Sequence, residues 1–107
     1  MNHVSLTGRL VADPQGSSTQ STDRAFFRLA IDREGDGRGT DFIPVTCFGG
    51  QANAVLKHIG KGHLVAVDGR LQSSSYERDG ERVYSLEVVA RRVEFLKAPQ
   101  RQPEDAA

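Results

Sequence analysis

The sequence predicts an all-β fold, a small five-stranded Greek-key barrel with one short helix between its third and fourth strands. Three observations carry that prediction. Four segments alternate apolar and polar residues with a period of two, a fifth returns after a hairpin tip, and one segment repeats its apolar residues at helical spacing. In addition, a shared Gly-Arg-Leu tripeptide interrupts the first strand at Gly8 and the fourth at Gly69. Glycine inside a strand marks a bulge or a corner where the strand coils sharply, and closing a small barrel needs such corners.

In the first strand, Val4 to Val11, residues Val4, Leu6, Gly8 and Leu10 share one side and Ser5, Thr7 and Arg9 the other. Asp13-Pro14-Gln15-Gly16 reads as the turn that ends it, followed by a Ser/Thr-rich loop from Ser17 to Thr22. The second strand gathers Ala25, Phe27, Leu29 and Ile31 opposite Phe26, Arg28 and Ala30. Glu34 to Gly39, charged and glycine-rich, predicts a long hairpin tip. In the third strand, Asp41 to Phe48, residues Ile43, Val45 and Cys47 face one way and Phe42, Pro44, Thr46 and Phe48 the other. Pro44 removes a ladder donor, so a bulge or an edge position is expected there.

From Gln51 to Ile59, residues Ala52, Val55, Leu56 and Ile59 recur at helical spacing, and Gly60 and Gly62 stop the helix. The fourth strand, Leu64 to Leu71, sets Leu64, Ala66, Asp68 and Arg70 against Val65, Val67, Gly69 and Leu71. Glu77 to Glu81 marks a hairpin tip, and Val83 to Leu96 returns as the fifth strand. Residues 1–97 thus form one domain, and 98–107, with two prolines and almost nothing to bury, predict a short disordered tail. This order of strands and helix is the layout of the OB-fold.

At 107 residues the chain can bury one real core but not two. It has no apolar run of about 18 residues to span a membrane and no basic-plus-apolar leader. A cytoplasmic protein with no membrane partner is the expectation. A single cysteine, Cys47, cannot close an internal disulfide or anchor a cysteine-based zinc site. Asp32 to Gly37 opens like a calcium loop, but position twelve, where a bidentate Glu is needed, is Ile43. Gly35, Gly37 and Gly39 follow a strand, yet no helix N-terminus follows them to hold a phosphate.

The candidates for catalysis are His3, His58, His63 and Cys47. No Asp or Glu occurs from Phe42 to Val67 to orient either later imidazole, and Cys47 shares a face with Ile43 and Val45. Without a nucleophile, base and orienter set, the reading is a non-enzymatic protein with no cofactor and no metal. The opposite face of strand three is more informative. Phe42 and Phe48 lie six residues apart, about 20 Å along the strand, with Thr46 between them. Aromatic rings on a wet face suit the stacking of single-stranded bases, with Tyr76 as a third ring and Phe26 as an additional candidate. Arg28 and Lys61 could take phosphates. Packing of the phenylalanines under the helix or against another subunit stays open at this point.

Together these residues resemble those of the bacterial single-stranded DNA-binding protein family. The resemblance rests on Val4-Ser5-Leu6-Thr7-Gly8-Arg9-Leu10 followed by Asp13-Pro14, then Thr40-Asp41-Phe42 leading to Phe48-Gly49. It continues through Lys61-Gly62, Asp68-Gly69-Arg70-Leu71 and the Tyr76 to Tyr84 hairpin, covering residues 2 to 96 in order. It implies an OB-fold and sequence-independent binding of single-stranded DNA in replication, recombination and repair. It also implies homotetramers built from paired dimers and a nucleoid-associated location. By position, the family's stacking aromatics fall on Phe42, Phe48 and Tyr76; in this chain's own pattern, Arg28, Lys61 and Arg70 are the candidates for phosphates. No tryptophan is present, so stacking rests on smaller rings.

Gln72-Ser73-Ser74-Ser75 stands where better-known members carry basic residues, so binding is expected to be less salt-sensitive. The end, Glu104-Asp105-Ala106-Ala107, lacks the family's terminal aromatic, so tail-mediated recruitment of replication proteins is not carried over. A dimeric primosomal accessory protein and a protein-interaction module on the same fold are the alternative readings. The 14 basic and 14 acidic residues cancel, but they are segregated. Residues 24–31 and 42–67 each carry a local +2, whereas the 32–41 loop and the 77–81 tip each carry −2.

Overall fold

The computed structural model describes residues 1–18, 23–35 and 39–99. The elements are β1 (Val4–Leu10), β2 (Gln15–Ser18), β3 (Asp23–Asp32), β4 (Thr40–Phe48), α1 (Gly49–His58), β5 (Leu64–Arg78) and β6 (Glu81–Lys97). The strands form one sheet in the order β1-β5-β6-β4-β3-β2. Pairing of β1 with β3 at Arg9↔Ala30 and Leu10↔Leu29 closes the five long strands into a barrel. The described neighbours are antiparallel except β4 and β6, which meet in parallel at Val45↔Val88 and Thr46↔Val89.

The alternating pattern turns its predicted apolar sets inward. Leu10, Phe27, Leu29, Val45, Val65 and Val67 are buried together, and β6 adds Val88 and Val93. Burying an aliphatic or phenyl side chain in this way contributes about 1.5–3 kcal/mol, which offsets the entropy of ordering the strands. α1 covers the barrel with Ala52 and Val55, followed by Ile59, all buried. Leu56, predicted on the same face, is instead exposed. Its side chain lies against Gly16, where an added Cβ would collide with it.

The glycine corners stand where the repeated tripeptide puts them. A Cβ on Gly8 would lie 2.7 Å from the Ala30 carbonyl oxygen, because β1 crosses there onto β3. A Cβ on Gly69 would strike the Val89 carbonyl oxygen, and the β5–β6 register shifts between Asp68 and Gly69. Only glycine allows strands to approach so closely.

Gln15 and Gly16, read as part of a turn, belong to β2, as do Ser17 and Ser18, read as loop; they pair with Asp23–Phe26 of β3. The polar sequence gives no alternation because β2 is an edge strand with little to bury. The helix therefore lies between the third and fourth barrel strands, β4 and β5, in a sheet of six strands. The fourth predicted strand does not end at Leu71: β5 runs to Arg78 and β6 begins at Glu81, so the hairpin extends as a two-stranded arm. Backbone ladders carry it through Ser73↔Leu86, Ser74↔Ser85 and Ser75↔Tyr84. Asp79 and Gly80 join its strands with φ of 53° and 82°, the signature of a tight I′ turn that matches strand twist.

Pro44 makes no bulge. The β3–β4 register is unbroken from Arg24↔Phe48 to Asp32↔Thr40, and Pro44 pairs with Arg28. It precedes the stretch where β4 meets β6, so that side does not demand the missing donor. Asp13 Oδ1 accepts the Lys61 N–H at 2.8 Å, and the Gly62 N–H donates to the Leu10 carbonyl at 2.9 Å, tying the loop after β1 to the α1–β5 turn. Among the described residues no helix is long and apolar enough to cross a membrane. Ala98 and Pro99 are exposed and outside any strand, while the rest of the predicted tail, the 19–22 stretch and residues 36–38 of the hairpin tip lie outside the described residues.

Candidate nucleic-acid interface

The outward face of β3 and β4 interleaves rings with cations. Strand alternation turns Arg24, Phe26, Arg28 and Ala30 outward on β3. The register sets them opposite Phe48, Thr46, Pro44 and Phe42. Directly opposed residues have Cβ atoms about 4.5–5.5 Å apart, so each forms a lateral pair. The Arg24 guanidinium carbon lies 5.5 Å from the Phe48 ring centroid, a cation–π contact that fixes the ring and leaves the charge at the surface.

Phe42 is 55% exposed, Phe26 48%, Phe48 41% and Tyr76 50%, values that decide against the packing alternative for these rings within the monomer. Phe42 sits at the far end of β4 beside Asp41. There the Arg33 guanidinium donates two hydrogen bonds to Asp41 Oδ1, at 3.0 and 2.7 Å. That contact holds the Asp41 carboxyl below the ordinary aspartate value, so the acid next to Phe42 is charged but paired.

Between β3, β4 and the loop after β1 runs a groove of about 660 Å³. Its lining includes Asp13 and Gln15 after β1, Arg24, Phe26 and Arg28 of β3, Thr46 of β4 and Glu87 of β6. The Thr46 hydroxyl donates to Glu87 Oε2 at 2.9 Å, so its proton is committed and only its acceptor capacity remains. On the arm, Gln72 pairs with Glu87 and Tyr76 with Val83. Arg70, Gln72, Ser74 and Tyr76 therefore continue the Glu87 side of the sheet, with Tyr76 about 13 Å beyond Gln72.

Of the residues singled out from sequence, Phe26, Arg28 and Thr46 meet in the groove, and Phe42 and Phe48 flank them along β4. Arg70 and Tyr76 lie on β5. Lys61 stands apart in the α1–β5 turn, at the groove's loop end through its backbone bond to Asp13. Sequence reading missed Arg24, Gln15 and Glu87. The Arg24-x-Phe26-x-Arg28 alternation could have revealed the first, but the other two need the cross-strand pairings.

The groups weighed for catalysis lie elsewhere. Cys47 is buried in the core, which pushes its thiol up to about 11. His58 and His63 flank the Phe95 ring at centroid distances of 6.5 and 6.3 Å, and His3 Nε2 lies 2.5 Å from Asp68 Oδ1. Among the described residues no group of His, Cys, Asp and Glu could hold a metal ion.

Residues 1–96 match the family described as the single-strand binding protein family. The chain is 46% identical over 103 residues to a protein from Clostridium tetani named single-stranded DNA-binding protein, covering 91% of this chain and 71% of that one. Clostridium acetobutylicum has a relative named single-stranded DNA-binding protein 3, 43% identical over 91% of this chain and 72% of its own length. In Staphylococcus aureus, single-stranded DNA-binding protein 1 is 44% identical over 91% of this chain and 66% of its own.

Proposed function

Because the chain belongs to the single-strand binding protein family, we propose that it coats single-stranded DNA without requiring a defined sequence. Bases stack on Phe26, Phe42, Phe48 and Tyr76, and Arg24, Arg28, Arg70 and Lys61 take phosphates. The observation that carries this reading is the run of half-exposed rings alternating with arginines on one face of β3 and β4. Stacking is sequence-tolerant because every base has a π-face, and a short cationic track follows the backbone. Thr46 contributes by position rather than by donating to the strand, since its proton is held by Glu87. The role is that of a binding protein, not an enzyme, acting on strands exposed during replication, recombination and repair, which puts it at the nucleoid.

The proposed assembly is a homotetramer. Leu71, Tyr84 and Leu86 support a covering partner: they are exposed on the side of the arm away from Tyr76. A mass measurement in solution tests this, and a stable dimer would favour the primosomal accessory role. The binding reading is tested by titrating labelled oligo-dT at low salt and following fluorescence anisotropy, with duplex DNA as competitor. Saturable binding that duplex fails to displace is the expected result. No anisotropy change, or preference for the duplex, would overturn it and favour a protein-interaction module.

A further inference from the structure

A carboxylate is out of place in the lining of a groove meant for a polyanion. Glu87 is half-buried between β4 and the arm, where it would repel phosphates. Arg24 and Arg28 line the same groove, yet neither forms an ion pair with it among the described residues. What holds it is the Thr46 hydroxyl, donating to Oε2 at 2.9 Å. Oε1 is left to accept from whatever enters. Thr46 is directly opposite Phe26 in the β3–β4 register, so a base stacked on the Phe26 ring brings its edge over the Thr46–Glu87 pair. The volume of about 660 Å³ falls within the range of small-molecule sites and has room for a nucleotide.

An ionised carboxylate only accepts hydrogen bonds. Cytosine, adenine and guanine each carry an exocyclic amino group that can donate to it, and a carboxylate accepting from the cytosine amino group is an established recognition pairing. Thymine has no amino group. Its one ring N–H is flanked by two carbonyl oxygens, whose lone pairs face the carboxylate. We propose that Glu87, positioned by Thr46, reads the edge of the base stacked on Phe26 and favours amino-bearing bases over thymine. The inference rests on the single-strand binding reading above and refines it: one pocket adds a graded base preference to a sequence-tolerant track.

The test compares oligo-dC with oligo-dT of about 16 nucleotides, near the upper site size of one OB-fold, above neutral pH so that cytosine stays unprotonated. Glu87→Gln keeps an acceptor for Thr46 but presents an amide that both donates and accepts. Loss of the negative charge should tighten binding of both oligomers. The dC-to-dT affinity ratio is the deciding quantity, and it should fall about threefold to tenfold, the scale of one lost base-edge contact. Thr46→Val keeps the charge but frees the carboxylate, and should lower the ratio in the same direction. A ratio unchanged in a Glu87→Gln variant with wild-type circular dichroism, or one that shifts toward dC, overturns the proposal. If the unmodified chain binds neither oligomer, the reading that fails is single-strand binding itself.

Discussion

Replacing Phe42 with alanine separates stacking from packing most cleanly. The ring is 55% exposed at the end of β4, so a little under half of its surface is already out of water. Full burial of a phenylalanine is worth about 1.5–3 kcal/mol, which puts the folding cost of Phe42→Ala near 1 kcal/mol. The loss of one base–aromatic stack is about 1–3 kcal/mol, a rise in Kd of about fivefold to 150-fold. Affinity should therefore fall while the urea midpoint moves little. The assay is anisotropy with labelled oligo-dT at several salt concentrations, beside a denaturant melt. No cation is removed, so the slope of log K against log salt should equal that of the unmodified chain. Phe42 and Phe48 are about 20 Å apart along the strand, so their alanine effects should add. A folded Phe42→Ala variant with unchanged affinity would refute the stacking role and assign the ring to packing between subunits.

Arg24→Ala and Arg28→Ala should each flatten the salt slope by about 0.7, the single-strand value per phosphate contact; a slope unchanged in both would remove them from the phosphate track. Gly69→Ala should destabilise the fold by about 1–3 kcal/mol, read as a lower urea midpoint, because its Cβ would strike the Val89 carbonyl. A neutral effect would mean that β5 moves freely at this corner. The Asp41 carboxyl, held low first by its hydrogen bond from Arg33 and then by the guanidinium charge, should titrate by NMR below ordinary aspartate, and Arg33→Ala should raise its midpoint. Since the folded value is depressed, its contribution to stability is present above the unfolded aspartate range and fades as pH falls through the folded value. The pair is exposed, so added salt should shrink the effect.

The barrel was legible because burial and period coincide in its strands. Phe27 and Leu29 go inward where alternation puts them, and Ala52, Val55 and Ile59 go inward at helical spacing. Pattern failed where burial did not accompany structure. β2 and the Ser73–Ser75 stretch are held by backbone ladders and present almost no apolar face, so the sequence resembles loop in both places. Leu56 carries the right spacing but meets Gly16 rather than the core, a detail of how close β2 passes beneath the helix. As exposed rings, Phe42 and Phe48 were readable from strand three and Phe26 from strand two, and Tyr76 stood out as an aromatic in a polar stretch. Glu87 was not readable, because its place depends on β6 meeting β4 in parallel across more than 40 residues of chain, with the Thr46 bond at a separation of 41.

The acids at the arm's tip, Glu77, Asp79 and Glu81, and the arginines on β3 give the molecule a sense of direction that its zero net charge conceals. With no monopole, a distant polyanion exerts a torque on the chain more than a pull. Beyond the screening distance of about 8–10 Å in physiological salt, even that torque fades. Encounter should thus be slower and less salt-dependent than for a basic protein, but those encounters that occur at short range should arrive already turned, with the ring and arginine face of β3 and β4 toward the strand.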